Sequence, residues 1–157
     1  MSTWGSMRWS LPVVAGWLAL VAGCQPADDG PPLVPIEGRV LFEGQPLEGA
    51  TIALIPIGET KGQGGTARTD AEGKFVLKTP DGKRTGGMPG QYQVRVSKLV
   101  NPDGSTYILP PDVSPIDSAG RELLPPAYSD LGQLRLQADV GPAGAQELKF
   151  ELVKQPR

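Results

Sequence analysis

Cys24 is the one thiol in the chain. A lone cysteine cannot close an internal disulfide, so in an exported protein it is either a free exposed thiol or a covalently occupied one. It stands where the apolar run Leu11 to Ala22 gives way to a polar, proline-rich segment, a place that suits attachment to something else. The other side chains with chemical capacity are carboxylates and amines. Asp112, Asp117, Glu122 and Asp130 fall within the long segment Leu99 to Asp130, where they could converge as metal ligands or as the acid and base of a hydrolase. Scattered, they are solvated loop charges. Asp70 and Glu72 offer oxygens to calcium, yet Asp70-Ala-Glu-Gly73 lacks the spaced oxygen set of a calcium loop and suits a hairpin turn. Lys83 and Arg84 could meet a phosphate or form a soluble hairpin tip. Gly64-Gly65 and Gly86-Gly87 lack the strand-loop-helix setting of a phosphate cradle and read as flexible turns.

Histidine is absent. That removes the Ser-His-Asp and Cys-His catalytic arrangements and the commonest zinc ligand together. The expectation is a non-enzymatic protein with no catalytic residue, no cofactor and no metal site.

The elements that hold these residues begin with a leader. Arg8 is the one charged residue in residues 1–23, the apolar run from Leu11 to Ala22 follows, and small residues Ala22 and Gly23 precede Cys24. This layout is that of a signal peptide helix over residues 1–23, whose apolar run from Leu11 to Ala22 is too short to span a bilayer, which needs roughly 20 apolar residues. An ordinary secretory leader with a chance cysteine shares the same layout. Trp4, Trp9 and Trp17 are the only tryptophans, so cleavage between Gly23 and Cys24 removes all of them. Residues 24–35 carry Pro26, Pro31, Pro32 and Pro35 and read as an extended tether, on the order of 30 Å long at the polyproline II rise.

Residues 36–157 form one domain. Gly 21 and Pro 17 are high, aromatics are only 6%, and the formal net charge is -2, which favours turns and strands and makes nucleic acid a poor partner. Apolar residues recur at every second position in Ile36–Phe42, where Leu41 breaks the alternation, and in Lys74–Thr79, Gln91–Ser97, Leu134–Val140 and Leu148–Leu152; Ala50–Ile57 reads as a more buried strand, and Thr66–Thr69 and Lys74–Thr79 flank the Asp70 turn as a hairpin. The predicted fold is all-β: a seven-stranded antiparallel β-sandwich, with a proline-rich loop over residues 99–130.

Val21-Ala22-Gly23-Cys24 resembles the lipobox of bacterial lipoproteins. In that family the thiol receives a diacylglyceryl group, the chain is cut before it, and the new amino terminus is often acylated too. The resemblance implies lipidation at Cys24, signal cleavage between Gly23 and Cys24, and membrane lipid as a partner. Two or three acyl chains anchor stably, whereas one is marginal. Gln25 after the cysteine implies the outer membrane under the enterobacterial sorting rule; the periplasmic face of another membrane is the alternative.

A second resemblance covers residues 36 to about 98. Gly38, Val40, Gly44, Pro46, Leu47, Gly49 and Ala50, then Thr69, Asp70, Gly73, Lys74 and Phe75, then Pro89, Gly90, Tyr92 and Val94 are similar to the carboxypeptidase regulatory-like domains, which have a transthyretin-like fold. The remainder, including Leu124-Pro-Pro-Ala-Tyr-Ser-Asp130, resembles the tail of short lipoproteins of this type from planctomycete-like bacteria. The resemblance implies the fold; the expected anchor and tether and the absence of histidine point to a cell-envelope module that contacts a protein or glycan without catalysis, and a carboxylate-dependent envelope hydrolase built on the 99–130 loop is the alternative.

Overall fold

The computed structural model describes residues 1, 31–110, 112–113 and 118–156. Gly23, Cys24, the leader, the tether before Pro31 and Asp117 lie outside the described residues. The chain divides into Met1–Gly30 and Pro31–Arg157, and the architecture that follows belongs to the second unit. No helix among the described residues is long and apolar enough to cross a membrane.

The domain is all-β. Its strands are β1 (Ile36–Phe42), β2 (Gln45–Pro46), β3 (Thr51–Pro56), β4 (Gly65–Arg68), β5 (Lys74–Val76), β6 (Gly90–Ser97), β7 (Leu99–Val100), β8 (Arg121–Glu122), β9 (Leu136–Val140) and β10 (Ala145–Leu152), with one helical turn, α1 (Pro126–Ser129), between β8 and β9. One sheet runs β10-β1-β2 with β5 also on β1, a second runs β4-β3-β6-β9, and β7 pairs with β8.

The expectation of seven antiparallel strands is corrected in two respects. Ten extended segments occur among the described residues, because β2, β7 and β8 add two-residue pairings too short to show any alternation. More consequentially, β1 and β10 pair in parallel, Val40 opposite Phe150 and Phe42 opposite Leu152. A parallel pair needs a long crossover, and here the intervening domain supplies it. The register shifts between Ile36 and Gly38, so β10 starts at Ala145, ahead of the alternation that begins at Leu148.

Alternation places the core. Ile36, Val40, Phe75, Phe150 and Leu152 from the first sheet and Ile52, Leu54, Tyr92, Val94, Val96 and Val140 from the second are buried in a single apolar cluster. The long segment after β7 is pinned to it by Leu124 and Tyr128. Close backbone approach is built in where side chains are missing. A Cβ on Gly38 would lie 2.2 Å from the Leu148 carbonyl oxygen, and one on Gly87 would lie 2.8 Å from Ile36 Cδ1. Gly87 is therefore a packing position bridged to Val34, and the reading of Gly86-Gly87 as a merely flexible turn is corrected.

Thr69 ties the end of β4 into the second sheet. Its hydroxyl donates to the Leu47 carbonyl at 2.5 Å and accepts from the Ala50 amide at 2.8 Å. Thr69→Val keeps the shape and strands both main-chain groups, so it should cost about 1–3 kcal/mol, whereas Thr69→Ser should cost less. Urea unfolding of the two variants checks this; equal stability of Thr69→Val and the parent would remove the hydroxyl's role.

Candidate binding groove

The hairpin β4–β5 serves two sheets. Thr69, just after β4, is buried against Leu47 and Ala50, while Phe75 on β5 is buried against Phe150 with ring centroids 6.1 Å apart. The hairpin therefore closes at its two ends only. Thr66 and Lys78 exchange both main-chain bonds at 2.9 and 2.8 Å, and the Asp70 amide donates to the Lys74 carbonyl at 2.9 Å. Between these closures β4 and β5 form no ladder. The alternation of an antiparallel pair directs the N–H and C=O of Arg68 and Val76 into this gap.

An open groove of about 1170 Å³ lies over the gap and the adjoining outer face of the first sheet. Its floor is set by register: Arg39 on β1 stands opposite Lys74 on β5 and Lys149 on β10, so three cations form one row across three strands. Arg68 and Lys78 add two more at the β4 side, against Glu37, Asp70 and Glu147. Five positive and three negative groups give the lining a balance of +2 in a chain whose formal charge is -2. Lys149 pairs with Glu151. Arg39, Lys74 and Lys78 form no ion pair among the described residues.

Asp70 closes its own turn. Its Oδ1 accepts from the amides of Glu72 at 3.0 Å and Lys74 at 2.8 Å, which is the turn that the sequence suggests. No group of three or more acidic, cysteine or histidine side chains able to hold a metal occurs among the described residues. Lys83 sits at an exposed turn in which Asp81 accepts from its amide and from the Thr79 hydroxyl; those bonds hold the Asp81 carboxyl below its ordinary value. Arg84 instead reaches back to the Pro31 carbonyl at 2.9 Å.

A second cavity, of about 780 Å³, lies between the outer face of the second sheet and the 99–130 segment. Glu122 and Asp130 both line it. Glu122 accepts from the Ser97 hydroxyl and from the amides of Lys98 and Leu124, and Asp130 accepts from the Gly132 amide and the Gln133 side chain. Asp112 does not line it. Glu122 thus ties the segment to the end of β6, whereas the bonds of Asp130 stay within its own turn.

Lys98 is the buried charge that reading residue types in isolation misses. It is 6% exposed, and its Nζ donates to the Glu48 carbonyl at 2.6 Å and to Thr106 Oγ1 at 2.5 Å. Parity was the available signal: Tyr92, Val94 and Val96 face inward, and the next residue of that series is Lys98. Burial lowers its pKa, the Arg68 charge lowers it further, and Glu48 opposes both.

Compared with known proteins, the chain matches no family model, no curated relative and no solved structure.

Two outcomes are expected. Like charges directly opposite across strands are destabilising, so Arg39→Glu, which creates an alternating row with Lys74 and Lys149, should raise stability by about 0.2–1 kcal/mol in thermal unfolding at low salt. A loss of stability would refute the repulsive row. For Lys98, the unfolded lysine holds its proton up to the ordinary value of 10.5, while the folded one releases it earlier. In that window the unfolded state binds more protons, so unfolding free energy rises with pH. Tyr92, whose pKa burial raises, acts in the opposite sense above 10. Subtracting the pH profile of Lys98→Met from that of the parent, from neutral pH to 10.5, isolates the lysine; a flat difference would contradict the assignment.

Proposed function

We propose that the chain is a lipid-tethered binding module of a bacterial cell envelope. On this reading Cys24 is acylated after cleavage at Gly23, residues 24–35 form the stalk, and residues 36–157 form a β-sandwich of the transthyretin-like, carboxypeptidase regulatory-like type. The module works by contact with an envelope protein or glycan and not by catalysis. The observation that carries the binding role is the open groove over the unladdered stretch of β4–β5, where most of the charged side chains of the lining stand on strands. Strand-borne groups are held in fixed mutual positions, as recognition requires. Its two sheets sharing one apolar cluster support the sandwich, and Val21-Ala22-Gly23-Cys24 supports the anchor.

The anchor is tested in the native cell with a clickable fatty acid and intact-mass analysis of the purified protein. The expected result is a label and an acylated amino-terminal Cys24, with Cys24→Ala unlabelled and released from the membrane fraction. A mature terminus elsewhere, or an unlabelled membrane form, overturns the tether.

A further inference from the structure

Among the described residues the cations of the groove are compensated only in part. Arg39, Lys74 and Lys149 oppose one another across three strands, an arrangement that costs stability, and Lys149 alone of the three has an ionic partner among the described residues. An anionic occupant would relieve it.

The lining selects among anions. Glu37, Asp70 and Glu147 interrupt the cations, which repels a chain charged at every unit, such as a nucleic acid or a polyuronate. Phe75, the groove's one aromatic residue, is 3% exposed and offers no ring for sugar stacking. A flat bilayer does not enter a concave groove. What remains is a chain bearing carboxylates at intervals. Along β5 and the two residues after it the outward residues are Lys74, Val76 and Lys78, with Val76 45% exposed between two cations. Alternate strand residues lie about 6.6–6.8 Å apart, the spacing of same-face side chains in an extended peptide. The gap beside them adds main-chain donors and acceptors from Arg68 and Val76.

We propose that the groove binds an extended acidic peptide segment of a partner protein, with carboxylates at two positions four residues apart meeting Lys74 and Lys78 and an apolar residue between them on Val76. Arg39 and Arg68 reinforce the carboxylate contacts. The inference rests on the binding-module reading and names its ligand class.

The test uses the full chain in detergent at low salt and a fluorescent extended peptide with glutamate, valine and glutamate at successive alternate positions, serine elsewhere. Expected are saturable one-to-one binding, weakening as salt rises, and a loss of about tenfold or more in Lys74→Glu/Lys78→Glu, whose circular dichroism matches the parent. That double variant should instead bind the same peptide with lysines replacing its glutamates. Weaker binding of a permuted peptide with adjacent glutamates, and of polygalacturonate, also supports the proposal. No saturable binding of the test peptide, equal binding by the double variant, or equal or tighter binding of the permuted peptide or polygalacturonate overturns it. Tighter polygalacturonate binding that the double variant loses would sink the peptide class and leave the groove as a binding site. Fatty-acid labelling at Cys24 reports on the tether independently.

Discussion

Thr69 and Phe75 are separated by five residues of hairpin and buried against different sheets, and that divergence is the constraint from which the groove arises. A hairpin whose strands both belonged to one sheet would ladder along its whole length. Here the hydroxyl of Thr69 is committed to the main chain around Leu47 and Ala50, and the ring of Phe75 to Phe150, so the middle of the hairpin cannot close. Main-chain groups left unpaired survive only where water or a ligand reaches them. The groove is that place.

Electrostatics at the end of β6 and on the outer face of the first sheet are handled differently. Lys98, inside, is satisfied by a carbonyl and a hydroxyl and has its charge disfavoured by burial and by Arg68. The row of Arg39, Lys74 and Lys149 lies on the outer face, where water and salt screen the repulsion between neighbours. Arg68 lines both cavities, and its charge is one of the causes that lower the Lys98 pKa.

Much of the core was legible in advance. Period-two alternation identified Ile52, Leu54, Phe75, Leu77, Tyr92, Val94 and Val96 as inward, and all of them are buried. The Asp70 turn was legible for the same local reason, since an Asp side chain bonds amides two and four residues along. The parallel pairing of β1 with β10 was not, because a strand's alternation reads the same whichever direction its neighbour runs. Nor was the cation row: Arg39, Lys74 and Lys149 are far apart in the chain and each is unremarkable alone. Lys98 lay between these cases, given by parity and hidden by its residue type.

Which face of each strand meets water is a property of a few consecutive residues, and the amino-acid sequence determines it without help. The same holds for the position of the single thiol at the end of the apolar run. Which strands become neighbours, and hence which charges stand together over the β4–β5 gap, depends on contacts between residues tens of positions apart. Only the packed structure decides that, because burying Thr69 and Phe75 against different sheets is a competition no local segment can register.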